Sequence, residues 1–125
     1  MGVSNNEVRI EGRITAEPEL RYTQSEKAVC RFTLAVSREW SDRDEADFIP
    51  VVAWNGTAKA MAEHVVKGQL LTVAGRLQSR SYETQDGQKR TVLEVIAREV
   101  KFGRKPKAKA EAHEQAAAAE TAEVA

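Results

Sequence analysis

The sequence holds little of what builds reactive or cross-linked sites: one cysteine, two histidines and three prolines in 125 residues. A single thiol, Cys30, excludes an internal disulfide framework and is compatible with a reducing compartment. It sits in a β-alternating run, where packing is its expected role rather than nucleophilic attack. His64 and His113 have no metal-ligand or triad spacing around them, and no glycine-rich phosphate loop occurs. Asp42, Asp44, Glu45 and Asp47 lack the turn glycine and downstream bidentate glutamate of a calcium loop. No enzyme, metal site or cofactor is expected. No apolar run approaches membrane-spanning length, and Met1-Gly2-Val3-Ser4-Asn5-Asn6 has neither a signal pattern nor the Ser or Thr that myristoylation wants at position 6. The reading is a soluble, cytoplasmic protein of one domain.

Net charge is also absent, with 19 basic and 19 acidic side chains. Their distribution is uneven. Residues 1–100 carry 14 basic and 15 acidic groups, residues 101–110 add five positive charges, and residues 111–125 add four negative ones. A polyanion held by bulk charge is excluded for the first hundred residues, so any nucleic-acid binding must rest on the placement of cations and aromatics.

What is present reads as a small β domain. Val8, Ile10 and Ile14 alternate with Arg9, Glu11 and Arg13 in a first strand, and Gly12 marks a bulge or bend. Residues 15–27 read as a loop. Phe32, Leu34 and Val36 mark a second strand ending near Trp40, and a charged connector leads to a third over Asp47–Trp54, where Pro50 argues for an edge or bulge. Ala58, Met61, Ala62, Val65 and Val66 fall at helical period, with Asn55 or Thr57 as cap and Gly68 as stop. Leu71, Val73 and Leu77 give a fourth strand, Asp86-Gly87 a hairpin turn, and residues 91–102 a fifth strand. The class is all-β with one short helix. The order, with the helix between strands three and four, is that of a five-stranded OB-fold barrel. From residue 104 a basic run passes into an Ala/Glu-rich tail, residues 104–125, too poor in large apolar side chains to bury a face.

Four of the few aromatics, Trp40, Phe48, Trp54 and Tyr82, lie in or beside these strands. Phe48 and Trp54 are six residues apart and therefore share a face, roughly 20 Å apart at the rise of a strand. Arg76, Arg80 and Tyr82 share the parity opposite to Leu71, Val73 and Leu77. Such a face suits bases stacked in a row, and it equally suits a subunit interface. Arg38 and Arg43 flank Trp40 in a manner suited to phosphate plus base. Arg21, Arg31, Lys67, Lys89 and Arg90 taken singly read as surface charges. Binding by stacking would tolerate any base and favour single strands.

The run Asn6-Glu7-Val8-Arg9-Ile10-Glu11-Gly12-Arg13-Ile14, then Pro18-Glu19-Leu20-Arg21-Tyr22, resembles the opening of bacterial single-stranded DNA-binding proteins. The same holds for Phe32 to Ser37 with Trp40, the Phe48–Trp54 strand, Lys67-Gly68, and Gly75 to Tyr82 through Asp86-Gly87 to Val95. The resemblance covers about residues 5–102, within a domain of residues 1–103. It implies stacking of single-stranded DNA on Trp40, Phe48, Trp54 and Tyr82, with phosphate contacts at Arg43, Lys67, Arg80 and Arg90. Arg76 joins this nucleic-acid-binding set by its parity. Pro50 and Gly56 stand where the family has basic residues, which implies fewer phosphate contacts and a shallower salt dependence. It further implies a homotetramer, with strand one pairing chains and the 82–90 arm reaching neighbours, and a nucleoid-associated role in replication, recombination or repair. The family's acidic tip closing with Pro and Phe, which recruits replication and repair proteins, is not matched by Ala-Glu-Thr-Ala-Glu-Val-Ala, which puts recruitment by that route in question. An alternative is an OB-fold adaptor of a replication-restart or conjugation assembly using the same aromatics for protein contacts.

Overall fold

In the computed structural model, residues 5–38 and 45–106 are described. Six strands and one helix run in the order β1 (Val8–Ile14), β2 (Leu20–Tyr22), β3 (Ala28–Ser37), β4 (Ala46–Trp54), α1 (Asn55–His64), β5 (Leu70–Glu83) and β6 (Lys89–Phe102). All strands belong to one sheet of order β1-β5-β6-β4-β3-β2, and β1 also pairs with β3. That last pairing returns the sheet to its starting strand, so the fold is consistent with the OB barrel.

Each strand forms because its apolar residues repeat every second position. In β3 the buried residues are Ala28, Cys30, Phe32 and Leu34, and in β5 Leu71 and Val73. With Ile14, Val51, Ala53, Met61 and Val95 they fill a closed interior. The expected core position Leu77 differs: it is 40% exposed although it keeps the parity of Val73. Pairing of β5 with β1 ends at Val8↔Gly75, so Leu77 sits at the rim with an uncovered side, while Val95 opposite it is still in the core.

Glycines mark where strands press together. A Cβ on Gly12 would lie 2.5 Å from the Ala35 carbonyl oxygen, which fits its place where β1 passes from β5 onto β3. The ladder irregularity lies elsewhere, between Ala74 and Gly75, where Arg98 is the extra residue on β6. Pro50 pairs with Thr33 on β3, while β4 meets β6 only at Val51↔Val95 and Val52↔Ile96. One side of Pro50 is in effect an edge, which is where a residue without an N–H is tolerated.

Two expectations change. Residues 15–27 contain the short strand β2, paired through Leu20↔Cys30, Arg21↔Val29 and Tyr22↔Ala28. With Arg21 and Tyr22 both exposed it has no alternation to betray it. The helix ends at His64, well before Gly68, and no side chain caps its start. Trp54 is the extended residue before it, and Asn55 turns the chain at φ 54°, a region that asparagine tolerates. Val65 and Val66 remain buried beyond the helix, so the apolar stripe outlasts the helical backbone. Gly68, at φ 85°, serves the following turn, where its N–H donates to the Ile14 carbonyl at 2.8 Å. Buried Gln69 secures that turn: its Oε1 accepts from the Val66 N–H and its Nε2 donates to the Gly103 carbonyl, both at 3.1 Å.

Candidate nucleic-acid interface

The register assembles one outward face across four strands. Directly opposed residues share a face of a sheet. On β3 and β4 the outward pairs are Val29↔Trp54, Arg31↔Val52, Thr33↔Pro50 and Ala35↔Phe48. Val52 then opposes Ile96 on β6, and Ile96 opposes Arg76 on β5. The same β5–β6 face continues through Gln78↔Glu94, Arg80↔Val92 and Tyr82↔Arg90. Phe48, Trp54, Arg76, Arg80, Tyr82 and Arg90, chosen by parity or resemblance, therefore belong to a single continuous surface.

Their exposure differs. Phe48 is 66% and Tyr82 48% exposed, whereas Trp54 is half-buried at the strand–helix junction. The Arg80 guanidinium carbon lies 5.8 Å from the Tyr82 ring centroid, within cation–π range. Arg76 is half-buried, and its Nη2 donates to Gln78 Oε1 at 3.1 Å. Arg90 lies out on the arm and donates from Nη2 to Gln88 Oε1 at 2.9 Å. The arm turns over Thr84–Gln88 around Gly87, at φ 86°, and its Asp86 carboxyl is held below the usual carboxylate range by the Thr84 hydroxyl. Lys67 is exposed but lies off this face, in the turn where Arg13 Nη1 donates to the Gly68 carbonyl. Trp40 and Arg43 lie outside the described residues.

Arg38 does not present a free charge as its position beside Trp40 suggests. Its Nε and Nη2 donate to Asp47 Oδ1 at 3.0 and 2.9 Å, and its Nη1 donates to Glu45 Oε2 at 2.9 Å. The Asp47 contact raises its pKa above the ordinary arginine value.

Two residues of the face are not signalled by the sequence. Glu94 is buried, its side chain only 4% exposed, and it accepts from Arg31 Nη1 on Oε2 at 3.1 Å and from Arg80 Nε on Oε1 at 3.3 Å. An acidic residue between Leu93 and Val95 looks like an ordinary solvent-facing position, and Arg31 reads as a surface charge. Only the register brings them together. Cys30 is fully buried, and burial pushes its thiol pKa up, which suits packing and not nucleophilic attack. Among the described residues no cluster of His, Cys, Asp or Glu could hold a metal ion, and no helix is long and apolar enough to cross a membrane.

Residues 5–103 match the Single-strand binding protein family. This chain belongs to that family. It is 47% identical over 100 residues to single-stranded DNA-binding protein 2 of Clostridium acetobutylicum, covering 78% of this chain and 75% of that protein. Identity to the single-stranded DNA-binding protein of Clostridium tetani is 49% over 100 residues, covering 78% and 69%. The corresponding protein of Enterococcus faecalis is 49% identical over 94 residues, 73% of this chain and half of its own length. Within the family match fall the whole barrel and every described residue of the outward face. Residues 104–125 lie beyond it.

Proposed function

We propose that the chain binds and protects single-stranded DNA without catalysis and with little base preference, in replication, recombination or repair. The observation that carries this reading is the continuous face that brings two exposed aromatics and a half-buried tryptophan together with arginines. Phe48, Trp54 and Tyr82, with Trp40, supply π-faces that any base can stack on. Arg76, Arg80 and Arg90, with Arg43 and Lys67, supply phosphate contacts. Family membership supports the same reading and gives none to the adaptor alternative.

Assembly as a homotetramer fits two surfaces of the protomer. Val8 to Gly12 pair with β5 on one side and with no described strand on the other, leaving an open edge on β1. Leu77 and Leu93, the latter 57% exposed, present apolar side chains on the β5–β6 arm. A cytoplasmic, nucleoid-associated location follows from the ligand. The binding domain takes in residues 1–103, and residues 104–125 form a tail whose first three residues lie along the barrel.

Titration of intrinsic tryptophan fluorescence with oligothymidylate tests the proposal. Stacking is expected to quench emission strongly at low salt, with the affinity falling as salt is raised. An unchanged spectrum at low salt overturns it.

A further inference from the structure

A buried carboxylate on a face that takes a polyanion is an expense of desolvation as well as a source of repulsion, unless its partners reverse both. At Glu94 they do. Arg31 reaches over from β3 and Arg80 from β5, each to a different oxygen, so one negative charge is shared by two guanidiniums. The cluster carries a net charge of +1 and bridges the middle of the face. On β4, which lies between β3 and β6, Phe48 and Trp54 flank Val52 along the strand, and Tyr82 follows Arg80 on β5. Val52, which faces the same way between Arg31 and Ile96, is only 1% exposed.

The count of N–H groups separates this cluster from the one at Arg38. There, two carboxylates take the Nε and both Nη nitrogens of a single guanidinium, and the net charge is −1. Here, Arg31 uses only Nη1 and Arg80 only Nε. The Nε and Nη2 of Arg31 and the two terminal nitrogens of Arg80 have no protein acceptor among the described residues, while half of each side chain is open to solvent. Two anchored, partly exposed guanidinium forks with N–H groups to spare are matched to the oxygens of a phosphodiester. The Arg80 guanidinium also lies over the Tyr82 ring, so a base stacked on the opposite face of that ring brings its own phosphate near the fork.

We propose that Arg31 and Arg80 form a paired phosphate clamp at the centre of the face, and that Glu94 is the positioning residue that sets it. The proposal rests on the reading of this face as a single-strand site and adds Arg31 and Glu94 to it. Holding both side chains in place before binding removes part of the ordering cost that free arginines meet on association.

The test measures oligothymidylate affinity across a salt series for the full chain, Arg31→Ala, Arg31→Lys, Glu94→Gln and the double variant Arg31→Ala/Glu94→Gln. Arg31→Ala is expected to weaken binding about tenfold, the scale of one charge-assisted hydrogen bond. It should also make the slope of log K against log salt shallower by about 0.7, the value for one phosphate of a single strand. Arg31→Lys should restore the slope and only part of the affinity, because the charge returns without the fork. Glu94→Gln should weaken binding several-fold although it makes the face more positive, and Arg31→Ala should then cost less than in the parent. Tighter binding by Glu94→Gln, with an undiminished cost of Arg31→Ala, shows a neutralising role and overturns the clamp. Should Glu94→Gln fail to fold, Arg31→Ala still decides, since that side chain is half exposed and an unchanged affinity and slope exclude it. Absence of binding by the parent chain would count against the face as a whole; binding by the parent with no response in these variants counts against the clamp alone.

Discussion

At the scale of single residues, the aromatics of the outward face differ in what supports them. Phe48 is mostly exposed, so its ring contributes little to the stability of the free protomer. Trp54 is half-buried, opposes Val29 and directly precedes α1, so it is held by the barrel while part of the side chain remains exposed. Trp54→Ala is expected to weaken oligothymidylate binding by ~1–3 kcal/mol, the range for one stacking residue. Size-exclusion chromatography with light scattering should show the same oligomer as the parent chain. A variant that binds normally but falls to monomers would place Trp54 in a subunit interface. Parity along the sequence identifies Phe48, Trp54, Arg76, Arg80 and Tyr82 as one-sided residues, because side-chain direction in a strand depends only on counting by two. It could not find Glu94 or free Arg31 from its reading as a plain surface charge. Their roles come from the register of β3 against β4 and of β6 against β5, and the residues themselves are 63 positions apart.

At the scale of elements, the tight points of the barrel are backbone contacts. A Cβ on Gly75 would run into the Ile96 carbonyl oxygen, which belongs to the ladder and has little freedom to withdraw. Gly75→Ala is expected to lower stability by about 1–3 kcal/mol in a urea melt. Gly56 is the opposite case. Nothing lies within 4 Å of a Cβ built there, and it sits in the first turn of α1. Gly56→Ala should raise stability by up to ~1 kcal/mol, the difference in helix propensity, and a destabilised variant would show that the open space is an illusion of the free protomer. The elements were largely legible in advance because the strands and helix carry strong periods of 2.0 and 3.6. β2 was not, being only three residues long with two of them exposed. The helical apolar spacing overruns the end of α1 because Val65 and Val66 keep it while lying beyond the helix, Val65 with an extended backbone.

At the scale of the whole molecule, the barrel does not stop at β6. The Gly103 N–H donates to the Leu70 carbonyl at 2.7 Å, the Leu70 N–H donates to the Arg104 carbonyl at 2.9 Å, and Pro106 lies against Gly68. A chain cut after Pro106 should melt and bind oligothymidylate like the full chain. A chain cut after Phe102 leaves the buried Gln69 amide without its Gly103 acceptor, at a cost of about 1–3 kcal/mol, measurable as a lower thermal midpoint. Equal midpoints for the two would show that residues 103–106 only rest on the barrel. The shorter chain also lacks Arg104 and Lys105, and a large loss of affinity beyond the loss of stability would assign those cations to the strand path.

By itself the sequence determined the class of fold, the family resemblance and the face on which most candidate residues lie, because alternation, turn chemistry and helical spacing are local and survive in a one-dimensional reading. The tertiary structure alone decided which cations are engaged and by what. Arg38 is engaged by two carboxylates, whereas Arg31 and Arg80 share one and keep N–H groups with no acceptor among the described residues. Ion pairing depends on distances of a few ångströms between strands far apart in the chain, and those distances are set by register and barrel closure rather than by any residue's neighbours in sequence.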